Sequence, residues 1–197
     1  MASKQVEFAE SQQSRPADRK AIFVWGGLPG ELVDVRVTKK KSSYLEGVAV
    51  LVHESSEYRV EPREEEVFLS SSPWQIMSFE AENKAKQAIL EETFEREHIN
   101  GISWTDFYAG ESQYGYRNKV ELGFWGDDVG IHFASYIRGT HGKRIITSNA
   151  LASDAINSVL DGFKQFINDF ALENSLRAGD LKTVIFRSSS AGEVVAA

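Results

Sequence analysis

The chain of 197 residues carries a net charge of -7, is 42% hydrophobic and contains no cysteine. This length fits one large domain or two small ones, and the lack of cysteine excludes disulfides, thiolate zinc sites, cysteine-ligated iron–sulfur clusters and a cysteine nucleophile. The acidic balance argues against a generic nucleic-acid binder, which is usually basic. The polar N-terminus has no secretion-signal pattern and no stretch is apolar enough to span a membrane, so we expect a cytoplasmic protein without a membrane partner.

Three short strands with tight turns are predicted in the first 60 residues, after a loosely ordered start at 1–19. The segment 20–25 is β-branched and aromatic, the segment 31–38 alternates apolar and polar residues, and the segment 45–52 is apolar. Gly-Gly-Leu-Pro-Gly and Lys-Lys-Lys-Ser-Ser-Tyr between them are turns. Short strands joined in this way indicate a small OB-like β-barrel.

The remainder of the chain is predicted to be α+β, with an antiparallel sheet covered by two helices. A charged break at 61–66 and a serine-rich loop at 70–74 come first. Ser78 and Ser153 are predicted N-caps. The predicted helices cover 79–98 and 153–176, and the strands cover 119–124, 129–135, 145–146, 182–186 and 193–196. The predicted domains are an OB-like barrel at 1–62, a linker loop at 63–78 and a central α+β domain at 79–197.

Signals for catalysis or metal binding are scarce. The glycine-rich run at 26–30 lies between two predicted strands, so it opens no helix and is not a nucleotide-binding loop. The serines at 70–72 have no nearby base, and the histidines are scattered without ligand spacing: His53, His98, His132 and His141. We therefore predict no catalytic residue and no metal site in this chain.

A cationic turn beside an aromatic residue indicates nucleic-acid contact in the predicted barrel. Lys39, Lys40 and Lys41 precede Tyr44 at a strand connection. Loops of this kind frame the binding face of OB-like barrels, where bases stack on aromatic rings. The alternative interpretation, a solvated hairpin turn, stays open.

A second cationic segment, Y-G-Y-R-N-K-V-E-L at 114–122, opens a predicted strand. If that strand begins near Tyr116, alternation places Arg117, Lys119 and Glu121 on one face, away from the apolar side chains. The two cations then point away from the core and are candidate phosphate contacts. The alternative, that Glu121 simply neutralises Lys119, stays open.

Four motifs in chain order resemble a known family. F-V-W-G-G-L-P-G-E-L-V-D-V-R-V-T-K-K-K-S-S-Y at 23–44 resembles the TRAM domain, an OB-like RNA-binding barrel. R-V-E-P at 59–62, S-P-W-Q-I-M-S-F-E-A-E-N-K at 72–84 and Y-G-Y-R-N-K-V-E-L-G-F at 114–124 follow in the order seen in RNA uracil-5-methyltransferases. Those enzymes use S-adenosylmethionine (SAM) to methylate carbon 5 of uridine in tRNA or rRNA. The similarity runs from about residue 20 to the end of the chain.

The resemblance implies that the chain is the RNA-recognition half of such an enzyme. In the family, the TRAM and central domains hold the RNA, while a C-terminal Rossmann-like domain binds SAM and carries the catalytic cysteine. No such third domain is recognised here, and the chain stops inside a strand pattern, G-E-V-V-A-A, so we expect a fragment. The implied partners are RNA and the missing domain in cis. No cofactor is expected in this chain, and no activity is expected of it alone. Arg117 and Lys119 are implied to lie at the RNA cleft or at the interface with the missing domain.

Two departures from the family pattern follow from the sequence. Many members hold a [4Fe–4S] cluster with cysteines in the segment equivalent to 63–73 and a fourth near Asn149. Without cysteine no cluster is expected, so the segment 61–74 must be held in another way or be mobile. The glycine-rich first strand of a typical TRAM domain is also missing, and residues 5–8 are the only candidate for it, which leaves the completeness of the barrel and its RNA affinity open.

Two other functions remain open on the sequence alone. The chain could be a stand-alone RNA-binding or assembly module without catalytic activity. A protein-interaction barrel indifferent to nucleic acid is a third interpretation, and the acidic net charge favours it.

Overall fold

The first sheet is built from four strands in the order β1-β3-β4-β2. The computed structural model describes residues 4–7, 20–65 and 67–197, with the side chains of 4–7 left out. The strands are β1 (Lys4–Glu7), β2 (Ala21–Trp25), β3 (Leu32–Lys40) and β4 (Tyr44–Glu54). The predicted strands at 20–25, 31–38 and 45–52 are confirmed. Val33 and Val35 are buried in the interior, because alternation along β3 sends both to one face. Val48 is buried on the opposite, outer face, where it pairs with Arg36 and Gly139 packs against it.

The edges of this sheet differ in strand direction. β3 pairs antiparallel with β1 and with β4, whereas β2 pairs parallel with β4 and, among the described residues, has no neighbour on its other edge. β1 forms in the segment that was the only candidate for the missing first strand, and it corrects the expectation of a loosely ordered start over residues 4–7. Phe8 and the remainder of residues 1–19 lie outside the described residues.

The second sheet has five antiparallel strands in the order β7-β6-β5-β8-β9. They are β5 (Lys119–Gly126), β6 (Ile131–Tyr136), β7 (Lys143–Ile145), β8 (Thr183–Ser188) and β9 (Val194–Ala196). The helix α3 (Asp154–Glu173) covers one face, capped by Ser153 as predicted. Its side chains Ile156 and Leu160 pack on Phe133 and Phe186 in the core. Phe166 and Phe170 of the same helix lie 56% and 42% exposed, so the sheet covers only part of its apolar side chains.

The helix α2 (Phe79–Arg96) does not pack on the core of the second sheet, which corrects the prediction that two helices cover it. Its first turn is capped by Ser78, as predicted. Ala81 in that turn packs with Leu28 of the barrel and with Ile76 and Met77 of the linker. In the described part of the chain, no helix is both long enough and apolar enough to cross a bilayer.

The segment 63–78, predicted as a linker loop, contains helical turns. It forms α1 (Phe68–Ser71) and a 3-10 turn at Pro73–Ile76. The Glu64 carboxylate holds them together. It accepts hydrogen bonds from the Ser71 hydroxyl, from Gln75 Nε2 at 2.7 Å and from the Ala150 backbone N–H at 3.0 Å. The Gln75 side chain is fully buried, so these polar contacts satisfy a group that water cannot reach.

A buried ion pair closes the Leu-Pro-Gly-Glu turn of the barrel. Arg59 donates from Nε to Glu31 Oε1 at 2.5 Å and from a terminal nitrogen to Oε2 at 2.6 Å. The backbone N–H groups of Leu28 and Ser56 donate to the same carboxylate. Burial raises the pKa of Glu31, but the hydrogen bonds from Arg59 and from the two backbone groups outweigh it and leave the pKa below its usual value.

Replacing Arg59 by alanine should destabilise the fold by about 3–5 kcal/mol, because the Glu31 charge is left buried without a partner. The matched control is Lys84→Ala, which removes the cation of an exposed pair with Glu80 and should change stability little. Urea unfolding of both variants measures the difference. Equal stability of the two variants would contradict the importance of the buried pair.

Replacing Glu64 by alanine should cost about 1–3 kcal/mol, since the buried Gln75 amide and the Ala150 N–H lose their acceptor. Glu65→Ala is the control, because Glu65 is exposed. Thermal unfolding gives the stability, and hydrogen exchange at the Ala150 amide reports the local contact. Unchanged exchange at Ala150 in the Glu64 variant would argue against this account of the linker.

Candidate nucleic-acid interface

One surface of the protein combines exposed aromatic rings with cations. It lies where the outer face of β2 meets the end of β3 and the start of β4. We call it the barrel-tip surface. It consists of Phe23, Trp25, Lys39, Lys40, Lys41, Tyr44 and Arg138. Four of these residues, the three lysines and Tyr44, were predicted from the sequence. Lys39 and Tyr44 lie on the face of the sheet that carries the rings of β2. Lys40 pairs with Leu45, so it points to the other face at the end of β3, and Lys41 follows in the turn.

The lysines of this surface differ in their partners. Lys39 forms a 3.1 Å ion pair with Glu46, and the hydrogen bond to that carboxylate raises the pKa of Lys39. Lys40 and Lys41 are exposed, and within the described ranges no carboxylate lies at ion-pair distance from either ammonium. These two cations are therefore available to a phosphate group.

The aromatic rings form a row along the edge strand. Phe23 and Trp25 are two residues apart in β2, so both point to the outer face, where they are 59% and 38% exposed. Tyr44 lies beside Phe23 with ring centres 5.4 Å apart, edge to face. The row continues past Trp25 to Arg138, whose guanidinium carbon lies 4.0 Å from the centre of the indole ring. This distance is that of a cation–π contact.

We call the part of the chain that forms the second sheet and α3 the second domain. Arg138 belongs to its loop between β6 and β7, and this loop rests on the barrel. Its Nε donates to the carbonyl of Leu69 at 2.7 Å. The next residue, Gly139, has φ of +77°, and a Cβ there would lie 2.9 Å from Val48 and 3.1 Å from Thr38. Glycine is thus required both by backbone conformation and by close packing. No site was predicted in R-G-T-H-G-K-R at 138–144, and its last two residues belong to β7. Its density of cations between glycines was the signal that could have marked it as part of the site.

The second predicted segment lies in a different environment. Arg117 precedes β5, is half-buried and donates to the carbonyl of Ser71 at 3.5 Å. Lys119 opens β5, is exposed and lies opposite Arg187 of β8. Because β5 begins at Lys119, the strand alternation predicted from Tyr116 does not apply to Arg117. Lys119 forms no ion pair with Glu121. Glu121 therefore does not neutralise the charge of Lys119, which lies beside that of Arg187.

A further arginine packs on the tyrosine at the start of this segment. The Arg63 guanidinium lies 3.9 Å from the centre of the Tyr114 ring. Burial raises the pKa of Tyr114, and the nearby positive charge of Arg63 opposes this shift. The contact joins the linker to the segment before β5. As for metals, no group of three or more His, Asp or Glu side chains in the described ranges is placed to hold an ion.

Comparisons with known proteins identify relatives over most of the chain. Residues 15–50 match the family described as TRAM domain. An uncharacterized RNA methyltransferase of Halalkalibacterium halodurans is 28% identical over 177 residues, which cover 86% of this chain and 38% of that protein. Another, from Caldanaerobacter subterraneus, is 30% identical over 188 residues, which cover 89% of this chain and 41% of that protein. The chain thus spans about two fifths of the length of these relatives.

Two further matches carry a uracil specificity in their names. The 23S rRNA (uracil(1939)-C(5))-methyltransferase RlmD of Albidiferax ferrireducens is 44% identical over 46 residues, which cover 23% of this chain and 10% of that protein. The structure of Pyrococcus abyssi tRNA (uracil-54, C5)-methyltransferase with S-adenosyl-L-homocysteine matches with a TM-score of 0.62 and 16% identity, over 89% of this chain and 40% of that one. The latter likeness shows the fold. The predicted α+β fold with an OB-like barrel, and the resemblance to RNA methyltransferases with a TRAM domain, are confirmed.

Replacing Gly139 by alanine tests the contact between the two domains. The left-handed backbone should cost about 1 kcal/mol, and the clash with Val48 should add about 1 kcal/mol or more. Gly101→Ala is the matched control, since φ there is +78° with no atom within 4 Å of the added carbon. Urea unfolding measures both variants. Equal losses of stability would mean that the loop does not press on the barrel.

Proposed function

We propose that the chain is the RNA-recognition part of an RNA uridine C5-methyltransferase that acts on tRNA or rRNA. The names of the relatives support the enzyme class. The observation that carries RNA recognition is the barrel-tip surface, where exposed aromatic rings lie at the end of the sheet that also carries Lys40 and Lys41. Among the described residues, neither of these two ammonium groups has a carboxylate at ion-pair distance. Cations that track a phosphate backbone and rings that stack on bases are the two components of single-strand recognition.

The two domains have separate roles in this proposal. The barrel supplies lysines and rings, and the second domain adds Arg138 to the same surface. Guanidinium groups bind phosphate bidentately or stack on bases, so Arg138 can extend the contact in either way. Arg117 and Lys119 stay predicted RNA contacts. The carbonyl of Ser71 already occupies part of the hydrogen-bonding capacity of Arg117, which favours Lys119 of the two.

Methyl transfer is assigned to the part of the relatives' length that this chain does not span. SAM is proposed as the cofactor of that part, which would act in cis on RNA held by this chain. The chain itself has no cysteine to form a covalent bond with uracil or to ligate an iron–sulfur cluster. The cytoplasmic location expected from the N-terminal sequence stays a prediction.

The double variant Lys40→Ala/Lys41→Ala should weaken binding to a tRNA transcript. The slope of log affinity against log salt concentration should become less steep by about 1 for each lost phosphate contact. The slope of the double variant should therefore be less steep by about 2. Lys84→Ala/Lys182→Ala removes the same charge from exposed positions outside the surface and is the matched control. Fluorescence anisotropy between 50 and 200 mM salt, a range of about two doublings, measures both slopes.

Equal slopes for the two double variants would show that the barrel tip does not hold the RNA. No binding of the unchanged chain to tRNA or rRNA would favour a protein-interaction barrel instead. A stand-alone RNA-binding module is separated from the proposed function by supplying the complete protein with SAM and RNA, since such a module transfers no methyl group.

A further inference from the structure

A recess lies along the aromatic row of the barrel. It has a volume of about 480 Å³ and is lined by Phe23, Val24, Trp25, Tyr44 and Glu46. Phe23 and Tyr44 lie edge to face in it. Trp25 also lines it, and the Arg138 guanidinium packs on the Trp25 ring. A flat aromatic molecule that enters this recess meets exposed aromatic rings.

The rings of this recess are not needed for the interior of the barrel. Buried valines fill that interior, whereas Phe23 and Trp25 remain 59% and 38% exposed on an edge strand. An exposed apolar edge strand invites aggregation, and proteins usually protect such edges with charges or short strands. Large exposed rings retained at this position therefore indicate a ligand that covers them.

The charges around the recess select among possible ligands. Lys39 lies opposite Glu46 on the face that holds the recess, and the Arg138 guanidinium packs on Trp25 on that face as well. Lys41 follows in the turn, where its backbone N–H donates to the carbonyl of Tyr44 at 2.9 Å. A cationic border suits a polyanion with flat groups better than an apolar peptide. Glu46, held by Lys39 at 3.1 Å, places a carboxylate oxygen at the recess, where it can accept from the N–H groups on the edge of a base.

We propose that this recess binds one unpaired nucleobase of the RNA, stacked on Phe23. Bases inside an A-form duplex are stacked on each other and cannot reach such a recess, so the site recognises a single-stranded or looped segment. The inference rests on the proposed function, because it names the part of the RNA that the barrel-tip surface holds. The lysines bind the phosphates on either side of the base.

The test uses the 197-residue chain and three RNA probes in fluorescence anisotropy. The first probe is a single strand, the second is the same strand with abasic positions at its centre, and the third is the strand paired with its complement. Phe23→Ala should weaken binding of the first probe roughly 5- to 150-fold, the range expected for one lost stacking contact. It should leave binding of the abasic and duplex probes nearly unchanged.

The control variant is Leu51→Ala, which removes an apolar side chain of similar exposure on β4, outside the recess. It should bind all three probes like the unchanged chain. Phe23→Tyr keeps the ring and should retain binding. Trp25 is left intact, because its contact with Arg138 also joins the two domains.

Two results would overturn the inference while the proposed function stands. One is equal affinity of the unchanged chain for the abasic and the base-bearing strand. The other is a Phe23→Ala variant that binds the single strand normally although Lys40→Ala/Lys41→Ala does not. If neither the lysine nor the phenylalanine variant changes affinity for any RNA, the proposed function fails as well.

Discussion

The barrel-tip surface depends on the buried contact between Glu31 and Arg59. The four hydrogen bonds to the carboxylate satisfy both of its oxygens, and a further bond from Arg59 reaches the carbonyl of Gly26 at 2.9 Å. Gly26 directly follows β2, the strand that carries the exposed rings. Within the described part of the chain, β2 is paired on one side only and in the parallel direction, which is slightly less stable per residue. The contact with Gly26 therefore fixes the end of β2. The Arg59 guanidinium also holds its own segment, between β4 and the linker at 63–78, against the barrel.

The short helix α1 joins the two domains through its carbonyl groups. The last carbonyls of a helix have no partner inside the helix, and here two arginines of the second domain donate to them. Arg138 binds the carbonyl of Leu69, and Arg117 binds that of Ser71. The Glu64 carboxylate fixes the same turn from the other side. The linker therefore sets the position of Arg138 against the barrel. The geometry of the barrel-tip surface thus depends on the hydrogen bonds of Glu64, which lie outside that surface.

The sequence predicted elements whose cause is local. Strand alternation and the capping hydroxyls of Ser78 and Ser153 act within a few residues, so these features are confirmed. The helical turns in 63–78 were missed, because Ser-Ser-Ser-Pro resembles a turn and its order comes from Glu64, whose partner Ala150 lies 86 residues away. The lysines of the interface were found from a local run. Arg138 was not, because only the packing of one domain on the other brings it to the barrel.

An acidic chain can hold RNA if its cations are gathered and its other contacts are strong. Residues 1–62 hold nine Lys/Arg and nine Asp/Glu, so the excess of negative charge lies in the rest of the chain. At physiological salt, charges more than about 8 Å apart are largely screened, so a phosphate at the barrel tip responds mainly to its neighbours. Lys39 is partly neutralised by Glu46, which leaves few phosphate contacts. The electrostatic share of binding is then small, and contacts insensitive to salt must supply the remainder. If the barrel tip holds RNA as proposed, stacking on the exposed rings of β2 is the contact that can supply this remainder.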